Sequence, residues 1–306
     1  MAVDKVLIVF LDGVGLGEDD PEANPFSRHP LPFLTKLLDG RKPFQINAGY
    51  GSQQATLLGL DAQLGVPGLP QSGTGQATIL TGQNAPALLG EHYGPYPNQP
   101  LRDLLNAESL FSQLLKRNQA VAYASAYPDG FLQRLERGTE RLSANTRAAR
   151  EAGLKLRSGA DLKAGRAISG MLTNEHWQQW GYDVPSLDAR AAGAQLVSLS
   201  ADHALTYFEF WYTDVIGHKQ NFSGADHVLT LLDDFFAGIF EAANLENTLV
   251  MIISDHGNFE DLSTKQHTAN PAMTIVGGAE QEQAADRLHA LLDIAPLVLD
   301  VLKPAP

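Results

Sequence analysis

Three apolar runs along the chain each close on an aspartate: VLIVFLD on Asp12, TYFEFWYTD on Asp214 and MIISDH on Asp255. Runs this long, rich in β-branched and aromatic residues, predict strands buried on both faces, as in a parallel sheet. TLVMIIS and AMTIV supply further strand signals around the same residues. Strand-like runs alternate with helical patterns through most of the chain, which predicts an α/β fold with a central, mostly parallel sheet and helices on both faces. The clearest helix follows Gly224, where Val228, Leu229, Leu231, Leu232, Phe235, Phe236, Ile239 and Phe240 recur at three- and four-residue steps with Asp233 and Asp234 between them. It is a core-facing helix and carries no chemistry. A last helix, LLDIAPLVLDVL, begins at Leu291.

The middle of the chain has a different pattern. From about Pro95 to Ser200 the composition shifts to Ala, Gly, Gln and Arg, and GEHYGPYPNQP opens the stretch as a connection rather than an element. Leu110 to Ala126 still reads as a helix and strand of the main sheet. The expected organisation is a discontinuous catalytic domain, residues 1–126 and 204–306, with a small cap inserted at 127–203. Seven arginines fall between Arg134 and Arg166. Most read as a solvated helix face, but one or two are expected to point into the crevice and grip an anion with their planar forks. Arg134, Arg137 and Arg141 recur on one face, and Arg166 lies in the glycine-flanked KAGRAISG, so these are the candidates.

Composition narrows the function classes. With 306 residues and 44% hydrophobic content the chain can bury a large core, as one large domain or a domain plus an insertion. The segment MAVDKVLIVFLDG reads as the first strand rather than a signal peptide, and no stretch reaches membrane-spanning length, so a soluble, cytoplasmic protein with no membrane partner is expected. Cysteine is absent, which removes disulfides, thiolate zinc sites and a cysteine nucleophile. A formal charge of −13 argues against a nucleic-acid partner, whose phosphates call for excess Lys and Arg. A small anionic substrate stays compatible, because bound metal ions would dominate the local field.

In an open parallel sheet, ligands bind at the carboxyl ends of the strands, where Asp12, Asp214 and Asp255 are expected to meet. His218 follows in TDVIGH, His256 in SDHGN and His267 in QHTANP. Clustered Asp and His is a divalent-metal arrangement with enough ligands for two ions, and imidazole plus carboxylate without thiolate suits Mn²⁺ or Zn²⁺ better than Ca²⁺. The segment GLPQSGTGQATILTG places Ser72 at or just before a helix N-terminus, where backbone N–H groups favour an anion. A hydroxyl there, beside a metal, can attack phosphorus, while an ordinary N-cap is the competing role. Thr74 is a second candidate for either role. Asp202-His203 and Asp226-His227 repeat the Asp-His pair without a preceding apolar strand and a following Gly, and are read as structural. His29, His92, His176 and His289 have no ligand context.

Taken together, LDGVG, GLPQSGTGQ, TDVIGH, SDHGN and QHTANP resemble the alkaline phosphatase superfamily, and most closely its branch of cofactor-independent phosphoglycerate mutase and phosphopentomutase. The order and spacing agree over roughly residues 1–95 and 205–306. The resemblance implies one metal held by Asp12, Ser72, Asp255 and His256, and a second by Asp214, His218 and His267. It also implies Ser72 as nucleophile, since the family's hydroxyl lies ten residues before a closing glycine, here Gly82. Mn²⁺ is the metal favoured by the mutase-like branch, with Zn²⁺ second. The phosphoglycerate mutase pattern continues Glu-Val-Gly-His after the serine, whereas Gly73, Thr74, Gly75 and Gln76 stand here, and the insertion is far smaller than the mutases' phosphotransfer domain. The expected activity is therefore hydrolysis of a small phosphorylated metabolite through a phosphoserine. A sugar-phosphate mutase comes second and a phosphodiesterase third, with a metal-binding regulatory protein as the non-enzymatic alternative. The residues after Ser72 do not fit a sulfatase.

Overall fold

In the computed structural model, which describes residues 3–302, the apolar runs form strands. In chain order these are β1 (Lys5–Leu11), β2 (Ala55–Leu60), β3 (Val121–Tyr123), β4 (Ser125–Ala126), β5 (Ile168–Ser169), β6 (Leu205–Phe210), β7 (Thr248–Ser254) and β8 (Ala272–Gly278). Six of them make one sheet in the order β2-β8-β7-β1-β6-β3, and β4 pairs with β5 as a separate ribbon. β1 is parallel to both its neighbours and β3 is parallel to β6, while β8 runs against β7 and β2. The mostly parallel α/β sheet expected from the pattern is present, with β8 as its reversed strand.

Helices cover both faces. Along β1, Val6, Ile8 and Phe10 point into one core, shared with the Ser72–Thr81 and Ile294–Val301 helices, and Leu7, Val9 and Leu11 point into the other, under the Phe222–Ala242 helix. Every residue of β6 and of β7 is buried, which is why these strands read as continuous apolar runs rather than alternating ones. Leu11 stands opposite Phe210 on one side and Ser254 on the other, so the three central strands end at one level.

One expectation about the strands needs correction. The TYFEFWYTD run does not reach Asp214 as a strand: β6 stops at Phe210, and Asp214 lies in the first turn of a helix, Tyr212–Lys219. The turn is tied to the neighbouring strand end by the Thr213 hydroxyl, which donates to the Asp12 carbonyl at 2.6 Å. Asp214 and His218, four residues apart, therefore share one helix face.

The stretch from 127 to 203 divides in its packing. Ala144, Ala148 and Ala149 belong to the first core, and Ile168, Leu172, Ala189, Ala192 and Leu196 to the second. Ala126, Leu162, Ala167, Trp177 and Val184 gather in a small core of their own. The Ala189–Leu199 helix meets the Phe222–Ala242 helix almost backbone to backbone. A Cβ on Gly238 would stand 2.0 Å from the Arg190 carbonyl, and one on Gly193 would stand 2.2 Å from that of Phe235. Neither carbonyl can yield without moving its helix, so Gly238→Ala is expected to destabilise the fold by about 1–3 kcal/mol, the range for overpacked cores. A urea unfolding midpoint unchanged in this variant would show that the two helices can part freely.

Candidate metal centre

The level ends of β1 and β7 put Asp12 and Asp255 side by side, and the helix after β6 brings Asp214 beside them. The backbone between is tightly constrained: Gly13 has φ +69°, and a Cβ there would lie 2.7 Å from Asp214 Oδ1. A glycine after Asp12 is thus required both by the left-handed turn and by the carboxylate packed against it.

The site residues expected from the motifs come together, while the arginines do not. Ser72 opens its helix with Oγ 3.0 Å from His256 Nε2 and 3.5 Å from Asp12 Oδ1. His256 Nε2 is also 3.4 Å from Asp12 and 3.6 Å from Asp255. On the outer side, Asp214 lies 3.2 Å from His218 Nε2 and 3.6 Å from His267 Nε2. The ligand atoms fall into two groups, Asp12, Asp214 and His256 in one and Asp214, His218 and His267 in the other, with Asp214 common to both. Thr74 is turned away, its hydroxyl donating to Gln71 O at 3.1 Å and accepting from Tyr93 N at 3.2 Å. Arg134 is bound to Glu140 and Arg166 to Asp161, and Arg141 lies 5.9 Å over Tyr96. None of the three is among the described residues lining the cavity of about 790 Å³ in front of the metal residues, where the cation is Lys265.

The electrostatics call for a cation. Burial and the neighbouring charges of Asp255 and Asp214 push Asp12 well above the usual carboxylate range, and burial raises Asp255 as well. Burial alone would lower His256, yet Asp255 and Asp12 hold it protonated up to about 10. His267, buried and stacked 3.8 Å from His256, is lowered to about 4. The donor set fits a metal in a second respect. His218 Nδ1 faces Lys265 O and His267 Nδ1 faces Pro70 O, each at 2.7 Å, which assigns the ring protons to Nδ1. The two Nε2 lone pairs are then left 3.3 Å apart, and a shared cation relieves that opposition.

Several supporting residues carried no signal of their own in the sequence. Asn258 donates to Asp214 Oδ1 at 2.6 Å and Gln76 to Asp255 Oδ2 at 3.4 Å. Buried Glu260 accepts from Gly15 N at 2.7 Å, Asn258 N at 2.9 Å and Asn270 Nδ2 at 3.0 Å, and from the Thr268 hydroxyl. Asn258 and Gln76 stand inside quoted motifs, but only the fold shows what they hold. Of the histidines set aside, His203 is bonded to Leu199 O and His29 to Thr230, away from the centre. His92 reaches the cavity wall, bonded to Val66 O.

Fold and site together define an α/β protein with a crevice of candidate metal ligands at the carboxyl edge of its sheet. The family model of the Metalloenzyme superfamily matches residues 181–305. The 2,3-bisphosphoglycerate-independent phosphoglycerate mutase of Desulforudis audaxviator is 25% identical over 128 residues, covering 40% of this chain and 25% of that protein. The enzyme of the same name from Anaplasma phagocytophilum is 30% identical over 110 residues, 34% of this chain and 22% of that one. The match thus spans about a quarter of the length of these curated relatives. Among solved structures, the alkaline phosphatase of the Antarctic bacterium TAB5 aligns with a TM-score of 0.54 at 12% identity, over 100% of this chain and 99% of that one. The phosphoglycerate mutase of Leishmania mexicana aligns at 0.50 and 10% identity, over 100% and 96%. The family model thus matches the C-terminal part of the chain, and the fold is similar to that of the alkaline phosphatases, the two resemblances that the motifs implied.

Because Asp214 belongs to both ligand groups, Asp214→Asn is expected to lower bound Mn²⁺ or Zn²⁺ from about two to below one per chain, whereas His218→Ala should remove about one. Elemental analysis after dialysis measures this. Equal losses in the two variants would show that Asp214 is not shared.

Proposed function

We propose that this protein is a metal-dependent phosphatase that acts on a small phosphomonoester through a phosphoserine at Ser72. The observation that carries the reading is the placement of Ser72, the first residue of a ten-residue helix, against His256 and Asp12. Asp12, Asp255, His256 and Ser72 would hold one divalent ion and His218 and His267 a second, with Asp214 a ligand of the second that also lies within reach of the first, Mn²⁺ being favoured over Zn²⁺. When bound, such ions lower the pKa of a coordinated hydroxyl and stabilise charge on phosphoryl oxygens.

The chain supplies the rest. The helix N-terminus turns its dipole and first N–H groups toward the anion. The Ser72 Oγ–P bond forms as the ester P–O bond breaks, and the alcohol leaves with a proton. Water then attacks phosphorus, releasing inorganic phosphate and restoring the Ser72 hydroxyl. Lys265, exposed at the cavity rim, takes the anion-gripping role first assigned to the arginines. The open cavity of about 790 Å³ admits water to the intermediate, which favours hydrolysis. The relatives' name, phosphoglycerate mutase, favours a second reading, transfer of the phosphoryl group to another hydroxyl of a phosphorylated metabolite.

Ser72→Ala is expected to reduce turnover on the order of a thousand-fold or more while metal content and circular dichroism persist, and Thr74→Ala to stay within about ten-fold of wild type. Acid trapping followed by mass spectrometry locates the phosphoryl group, and its appearance on Thr74 would overturn the assignment. Native phosphoenzyme, isolated without acid and chased with dephosphorylated substrate, separates the two readings, since hydrolysis yields inorganic phosphate and a mutase returns phosphate to the organic product. Lys265→Ala should raise KM for monoesters about ten-fold with kcat little changed, the pattern of lost ground-state binding. An unchanged KM would remove Lys265 from the binding set.

A further inference from the structure

All three tryptophans of the chain line one cavity, about 260 Å³ in volume, outside the metal centre. Trp177, Trp180 and Trp211 share it with Tyr127, Phe131 and Glu209. Trp180 is 57% exposed and Trp211 46%, although indoles are costly to leave in water. Trp177 is buried, with its N–H on Ser169 Oγ at 3.1 Å, and Tyr127 and Phe131 stack at 4.7 Å, so one wall is held in place.

The sixth residue sets the chemistry. Glu209 is buried within β6, and its carboxylate receives hydrogen bonds from Asn145 Nδ2 at 3.2 Å, the Thr146 hydroxyl at 3.4 Å and the Tyr123 hydroxyl. The Asn145 amide can only donate, which fixes the carboxyl in orientation, while burial pushes Glu209 above the usual carboxylate range, as befits a buried acid without a positive partner. Among the described residues no Lys, Arg or His forms an ion pair with it. Buried charges are ordinarily paired, and aromatic faces attract cations. A bare metal ion would want several oxygens, which this apolar wall lacks, and a neutral hydrocarbon would leave Glu209 uncompensated.

We propose that this cavity is a recognition site for an alkylammonium group, a positive charge with an apolar skin. It shares no lining residue with the cavity in front of the metal centre. Trp211 immediately precedes the helix that carries Asp214. Behind it, Asn145 donates from its backbone N to Gln76 Oε1 at 3.4 Å, and Gln76 reaches Asp255. The ammonium belongs either to the alcohol half of a phosphoester or to a separate ligand, and the site itself does not depend on the phosphoryl-transfer reading.

Choline chloride titrated into the full-length protein, followed by tryptophan fluorescence and calorimetry, tests the site without turnover. Saturable binding is expected, about ten-fold or more tighter than for the neutral carbon isostere dimethylbutanol. Trp180→Ala and Trp211→Ala, both at exposed positions, should each weaken choline binding several-fold, and Glu209→Gln should abolish the preference over the isostere. Equal affinity for choline and dimethylbutanol, or choline binding untouched by both tryptophan variants, overturns the proposal. With metal-loaded protein, a kcat/KM preference for phosphocholine over dimethylbutyl phosphate that is lost in Trp211→Ala assigns the ammonium to the substrate. Choline binding without that preference assigns it to a separate ligand. Absence of any phosphatase activity with choline binding intact would sink the catalytic reading alone.

Discussion

Mutual repulsion among Asp12, Asp214 and Asp255, gathered in a poorly solvated crevice, is the constraint around which the rest of the molecule is arranged. Parallel pairing in register makes it unavoidable, because β1 and β7 end level and release their carboxylates side by side. Without added positive charge the cluster holds protons, as the upward displacement of Asp12, Asp255 and His256 shows. Such a site gains by exchanging protons for divalent ions, and its geometry anticipates that exchange: the imidazoles turn their Nε2 atoms inward and give their Nδ1 protons to backbone carbonyls.

A second ring of interactions keeps the charges from spreading apart. Glu260, itself buried, gathers donors from the loop after β1 and from the loop that runs from His256 to Asn270. That clamp fixes Asn258, whose amide holds Asp214, and it holds Thr268 next to His267. Gln76 does the same for Asp255 from the Ser72 helix, which ties the nucleophile candidate to the carboxylates by more than its own hydroxyl. The groups that touch Asp214 and Asp255 directly are the neutral amides of Asn258 and Gln76 and the Gly13 N–H, which add no charge to an already crowded field.

Specificity belongs to a different layer. The strand ends carry the candidate metal ligands, whereas the walls of the aromatic cavity come from the stretch between β3 and β6 and from the end of β6, and those of the cavity before the metal residues from segments 67–72, 91–95 and 265–267. That stretch is bound into both main cores, so the aromatic cavity and the metal centre sit on one framework. The polar chain from Asp255 through Gln76 and Asn145 to Glu209 joins the two sites.

Much of the candidate site was legible from the chain alone, because it sits where local pattern is strong. A strand buried on both faces must be apolar throughout, so an aspartate at its end stands out, and Asp12 and Asp255 could be read directly. His218 four residues after Asp214 was equally visible, although Asp214 belongs to a helical turn and not to a strand end: WYTDVIGH is as apolar as a strand, and only the tie from Thr213 to Asp12 O reveals the change. Ser72 and Thr74 could not be separated by local composition, since both precede a helical run; the tertiary contacts of Thr74 with Gln71 and Tyr93 distinguish them. The direction of the arginines was not legible, because charge density in sequence says nothing about it; in the structure Arg134 and Arg166 pair with Glu140 and Asp161. Asn258, Gln76, Glu260 and the convergence of three tryptophans were beyond reach for the same reason. Periodicity and strand ends are local properties of the chain, whereas a hydrogen bond or cavity wall between residues far apart in sequence exists only once the chain has folded.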